Sequence, residues 1–256
     1  MLEAAIFAAI AQAALVVGAI LVWRFGNLTR PAVVSTLMAF GAGAIISAVG
    51  TDLVAVSYDE AGAGATALGI GIGCLGYFSI ITLLERKGAS EKPEEPLEKA
   101  EGGQVSGASP TEARNLFVGM LVDGVPESVA IGLTLHVGSI GVSAALVGSV
   151  FIAGLPEAIG VAAALLAGGY SLSRILTRFG IVVLVGAAAG VVGYRLLYGQ
   201  SDELVALIQS IAAGALLVVV VNEMIPIAIR GIRRWAGVVA SCGFVFSAAL
   251  TWISGG

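Results

Sequence analysis

The sequence predicts an all-α polytopic membrane protein with eight transmembrane helices, in which spans 1–3 and 6–8 form an inverted repeat around central spans 4 and 5. Three observations predict the membrane class, and the spans and repeats below supply the rest. The mean hydropathy of the 256 residues is +1.00 and 58% of them are hydrophobic. Only 12% are Asp, Glu, Lys or Arg, about half the share of a soluble domain and too few to cover a soluble surface. The 36 glycines suit helices that pack closely in lipid. A net charge of -4 without a basic patch excludes a nucleic-acid binder. Two cysteines in apolar runs, Cys74 and Cys242, make no disulfide framework and read as small core side chains.

A bilayer core takes about 20 apolar residues per helix. Runs of that length fall at roughly 5–23, 32–54, 65–84, 115–135, 141–166, 179–198, 204–229 and 236–253. The first lacks a basic leader and a clear cleavage motif, so it reads as a retained helix. Residues 24–31 and 167–178 read as polar turns. The chain thus divides into spans 1–3 (1–84), a linker (85–114) and spans 4–8 (115–256). The linker is rich in Glu, Lys, Gly, Ser and Pro, the composition of a solvated, disordered spacer.

Charge sets the expected orientation. With the N-terminus outside, Arg24, Arg30, Arg86, Lys87, Lys92, Lys99, Arg114, Arg174, Arg178, Arg230, Arg233 and Arg234 all fall inside, and of the 13 basic residues only Arg195 falls outside. An even number of spans puts the C-terminus outside and the linker in the cytoplasm. Asp59, Glu60, Asp202 and Glu203 make the outer face acidic.

Five acids sit within the spans: Asp52, Asp123, Glu127, Glu157 and Glu223. No Lys or Arg at comparable depth neutralises them. Intramembrane acids are costly, so they must hold protons or share a cation. Asp123 and Glu127 are four residues apart, hence on one helix face near the middle of span 4. Glu157 lies near the middle of span 5. The two spans repeat each other at an offset of 30: Gly124-Val125-Pro126-Glu127 and Gly154-Leu155-Pro156-Glu157. Pro126 and Pro156 kink their helices and free the carbonyls of Val122 and Ile152. Carboxylates and loose carbonyls at one depth are oxygen donors suited to a divalent cation. A second repeat pairs 43–52 with 214–223 at an offset of 171, setting Thr51-Asp52 against Asn222-Glu223. Span 2 runs outward and span 7 inward, an inverted relation common in transporters. Asp52 is placed near the outer mouth and Glu223 near the inner one. Asp52, Asn222 and Glu223 are pathway residues on this reading, or helix-end polar groups reaching the interface.

With these Pro-Glu motifs, outside termini and a long inner loop after span 3, the chain resembles the ZIP (Zrt/Irt-like) metal-ion transporters. The likeness in layout covers the whole chain and is concentrated at 119–137, 150–164 and 211–228. Family members typically read His-Asn-x-Pro-Glu in span 4, His-Glu-x-Pro-Glu in span 5 and Glu-Glu-x-x-Pro in span 7. Here the matching positions are Asp123-Gly124-Val125-Pro126-Glu127, Ala153-Gly154-Leu155-Pro156-Glu157 and Asn222-Glu223-Met224-Ile225-Pro226. Both histidines and both second-position ligands are gone, and Val185-Gly186-Ala187-Ala188 carries no acid where many members have one in span 6. The only histidine, His136, reads as an interfacial polar residue near an outer helix end.

The resemblance implies a midplane metal site of Asp123, Glu127 and Glu157 and a divalent cation as transported substrate. Without imidazoles, the all-oxygen set shifts preference from zinc toward manganese, iron(II) and other hard ions. It also implies that spans 1, 4, 5 and 6 move against spans 2, 3, 7 and 8, with Gly41, Gly43, Gly69, Gly71, Gly73 and Gly76 suiting the sliding interface. Carboxylates this close hold protons when empty, so transport couples to pH. The alternative is a non-transporting relative that binds or senses metal, or a proton pathway through the same acids. An enzyme is not expected, because no metalloprotease, serine-hydrolase or paired-aspartate constellation is present. The expected partners are the metal ion and the lipid bilayer, with a homodimer left open. The expected location is a prokaryotic cytoplasmic membrane.

Overall fold

In a computed structural model, residues 1–26, 30–88, 117, 120–121, 124–125, 127–134, 140–197 and 201–254 are described. Among them there is helix and no strand, as a helical membrane protein requires, since only helices and closed barrels satisfy every backbone group in lipid. Helix α1 spans Leu2–Arg24 and α2 spans Pro31–Ala48. A π-helical turn, Val49–Ala55, joins α2 to α3, Val56–Gly88. Within the stretch expected as span 4, residues 127–134 form α4. Then follow α5 Ile140–Ala167, α6 Leu172–Leu197 and α7 Asp202–Val219. A second π turn, Val220–Met224, leads into α8 Ile225–Ile232, and α9 is Trp235–Ser254.

Six helical runs among the described residues are long and apolar enough to cross a membrane. One of them, Ala32–Ile80, contains 49 residues. Straight, it would measure about 74 Å, more than twice the roughly 30 Å hydrocarbon layer. It breaks at Gly62, whose φ of 73° and ψ of 172° lie in a region open to glycine and not to L side chains.

Local chemistry sets the other ends. Pro31 opens α2, where its missing N–H costs no hydrogen bond. Asp202 and Glu203 sit in the first turn of α7, at the positive end of its dipole. Helix α5 closes with Tyr170 N–H donating to Leu165 O and Gly169 N–H to Leu166 O, with Gly169 at φ 82°. The expected polar turn at 167–178 is therefore too long. Only 168–171 leaves the helix, and Leu172–Arg178 forms the first turns of α6. Arg174 and Arg178 are four residues apart and share a helix face, and the Arg178 guanidinium lies 4.8 Å from the Tyr170 ring centre.

The bundle has two packing groups. In one, α1 lies against α5 and α6. The α4 segment joins them, since a Cβ on Gly132 would meet the Gly190 carbonyl and one on Gly193 the Val129 carbonyl. In the other, α3 packs on α7, and α2 on α8 and α9. The α2–α5 contact links the two. Glycines let backbones touch in a matched pattern. A Cβ on Gly73 would strike the Ile211 carbonyl, and one on Gly214 the Ile70 carbonyl. A Cβ on Gly243 would strike the Phe40 carbonyl, and one on Gly43 the Ala240 carbonyl. Residues 40 and 43 are 171 positions before 211 and 214, and 70 and 73 are 170 before 240 and 243. The π turns start at 49 and 220, again 171 apart. Gly71 and Gly76, expected at a sliding interface, face open space instead.

Large apolar side chains cover the outside, among them Leu75 and Leu184, both 70% exposed. Trp23, Trp235 and Trp252, all the tryptophans of the chain, stand exposed at helix ends, where interfacial aromatics belong.

Candidate intramembrane cation site

The first site is built on Glu127, at the start of the described α4 segment. Its carboxylate faces α1, where Gln12 Nε2 donates to Glu127 Oε2 at 3.3 Å. The same amide nitrogen lies 3.2 Å from Gly124 O and 3.5 Å from Ser128 Oγ. Gln12 is 5% exposed and Ser128 fully buried, so this is an interior polar cluster. Beside it is a cavity of about 10 Å³, room for about one water or one bare ion.

The wall of the cavity repeats itself. Met120, Gly124 and Glu127 line it from the stretch leading into α4, and Val150 and Gly154 from α5. The spacing i, i+4, i+7 puts each set on one helix stripe. At the offset of 30, Met120 matches Val150 and Gly124 matches Gly154. Glu157, the counterpart of Glu127, is the next position on the α5 stripe. The glycines of the two repeated stretches thus line one small space together with Glu127. Helix α5 continues through Pro156. Asp123 and Pro126 lie outside the described residues, as does His136, and so do the side chains of Pro156, Glu157 and Glu223. Among the described residues no three His, Cys, Asp or Glu side chains gather in a group that could hold a metal.

The second feature is Asp52, 1% exposed within the first π turn. Its carboxylate is enclosed by protein. Its Oδ1 accepts from Thr51 Oγ1 at 2.7 Å and from Thr251 Oγ1, on α9, at 3.4 Å. Its Oδ2 is buried without a partner among the described residues. A π turn leaves backbone groups out of regular register and is frequent at functional sites. The second π turn carries Asn222, exposed, and Glu223. The paired acids therefore occupy the same local backbone feature.

Sequence reasoning missed Gln12. The signal was present: it is the only amide in the apolar helix α1, and a buried amide in lipid needs partners. Thr251 was also missed, because a lone threonine in span 8 carries no motif. No protein-family model matches the chain, and no curated protein matches it in sequence.

Proposed function

We propose that this protein is a divalent metal-ion transporter of the ZIP type, carrying a cation across the membrane by alternating access through Asp123, Glu127 and Glu157. One observation carries the reading: equivalent positions of the two Gly-x-Pro-Glu repeats line one buried cavity that has Glu127 on its wall. A carboxylate in lipid is stabilised by a cation or a proton. Two such carboxylates on facing helices, with Asp123 one turn away, supply hard oxygen ligands for manganese or iron(II) ahead of zinc.

The wider architecture supports the same reading. The glycine contacts and π turns recur at a separation of 170–171 residues, as an inverted repeat of spans 1–3 and 6–8 would require. The break at Gly62 divides Ala32–Ile80 into spans 2 and 3. Together with the expected span 4 at 115–135, that makes the eight spans of this reading. The two packing groups match the blocks that would move against each other. Asp52 and Glu223 are then waystations at the outer and inner mouths, in a cytoplasmic membrane with both termini outside and the 85–114 linker inside.

The test is manganese uptake into proteoliposomes with a pH dye inside. Wild-type protein takes up manganese, while Glu127→Ala and Glu157→Ala purify as monodisperse protein and take up none. Uptake at the wild-type rate by either variant overturns the proposal. Proton flux without manganese flux would instead favour a proton pathway through the same acids.

A further inference from the structure

Gln12 touches three acceptors with a group that can serve only two. A primary amide has two N–H hydrogens, yet its nitrogen stands 3.2 Å from Gly124 O, 3.3 Å from Glu127 Oε2 and 3.5 Å from Ser128 Oγ. The contacts are alternatives of similar length, so the amide can release one acceptor and keep two.

Two glycines make room for that side chain. A Cβ on Gly124 would stand 3.0 Å from Gln12 Nε2 and 3.1 Å from its Oε1. A Cβ on Gly186, on α6, would stand 2.8 Å from Gln12 Cγ and 2.8 Å from Ser128 Oγ. The carboxamide is thus held between span 4 and α6, with its nitrogen at the carboxylate and its flank on the cavity. With three acceptors around its nitrogen, the terminal amide is the part that can turn.

We infer that Gln12 is the positioning residue of the cation site, its amide holding Glu127 while the site is ion-free and turning to Gly124 and Ser128 when a divalent cation takes the carboxylate. The inference rests on reading Glu127 as a metal ligand. The N–H occupies the place beside Glu127 Oε2 that a cation would take, and giving it up costs little because two other acceptors are in reach. The same side chain fills the space toward α6, so the cavity has room for one ion. Groups that orient a metal ligand set affinity as strongly as some ligands do: their removal typically costs about 10- to 100-fold.

The test measures manganese binding by calorimetry on the full chain in detergent and manganese uptake in proteoliposomes. Gln12→Leu, close in size and without the donor, raises the Kd and KM for manganese about tenfold or more. It leaves kcat within twofold and the melting temperature near wild type. Gly186→Ala shifts Kd in the same direction while keeping the amide, because the new methyl pushes Gln12 away from Glu127. It decides the matter if Gln12→Leu does not fold. Gln12→Asn, a shorter amide, falls between wild type and Gln12→Leu. Wild-type Kd and KM in Gln12→Leu overturn the inference. So does a fall in kcat that tracks a lost melting transition, the mark of a merely structural role. Glu127→Ala separates the two readings: if it binds manganese as wild type does, the metal site itself is wrong. If it binds none while Gln12→Leu and Gly186→Ala bind normally, only the role of Gln12 is wrong.

Discussion

Alternate glycines on helix α3 allow a sharp test of how the bundle is held together. Gly73 lies against the α7 backbone: an added Cβ would strike the Ile211 carbonyl oxygen and stand 2.8 Å from its carbon. Gly71, two residues earlier, has nothing within 4 Å. The same substitution to Ala should therefore have opposite signs at the two sites. At Gly71 it gains helix propensity, up to about 1 kcal/mol. At Gly73 the same gain is offset by overpacking of about 1–3 kcal/mol, toward the upper end because the obstacle is backbone. The two variants should differ by roughly 2–3 kcal/mol, or about 5–10 °C in melting temperature for a chain of this size. Gly243→Ala, against the Phe40 carbonyl of α2, should match Gly73→Ala, because the two contacts occupy equivalent places. The assay is thermal unfolding of purified protein in one detergent, followed by the accessibility of Cys74, whose Sγ lies 3.3 Å from Gly214 O on α7, with the exposed Cys242 replaced by Ser. Equal melting temperatures for Gly71→Ala and Gly73→Ala would refute the packing argument. A large loss in Gly73→Ala with none in Gly243→Ala would refute the equivalence of the two interfaces.

Other consequences concern transport. Metal binding requires ionised carboxylates, so protons compete with manganese: apparent affinity should fall as pH drops, by up to about tenfold per pH unit for each proton displaced, and binding should release protons measurable in weakly buffered solution. An affinity independent of pH between 5 and 8 would contradict this. Where the packing groups meet, a Cβ on Gly41 would stand 2.6 Å from Ala153 Cα. Gly41→Val should slow uptake at least tenfold while leaving the calorimetric Kd within about twofold; parallel changes in both would argue against movement at that contact. Asp52→Asn keeps an oxygen for Thr51 and Thr251, so stability should change by less than about 1 kcal/mol. Removing its charge should lower manganese uptake several-fold; full uptake would take Asp52 off the pathway.

Much of this was legible in the sequence because lipid imposes a length on helices and a penalty on charge. The run 5–23 became α1, 141–166 became α5 and 236–253 became α9, each within a few residues. The repeated Gly-x-Pro-Glu was legible because proline and an acid are both exceptional at such depth. What a helix packs on was not legible. A soluble helix shows its buried face by an apolar stripe, but α1 is apolar all round between Glu3 and Arg24 at its ends, with Gln12 the exception. Inside a membrane, facing protein or facing lipid demands little difference in polarity, so side-chain size and rare polar groups carry the information. That is why Gly71 and Gly73 look alike in sequence and differ in space. It is also why Gly124 read as a lost ligand and Gly186 as part of a stretch without an acid, although both make room for Gln12. A glycine is only as informative as the atom it admits, and that atom lies on another helix: 112 residues separate Gln12 from Gly124. The start of α6 was misread for a related reason. Arg174 and Arg178 suggested a turn, but long basic side chains reach water from inside a helix, so charge marks the depth at which a helix leaves the bilayer and not where the helix begins.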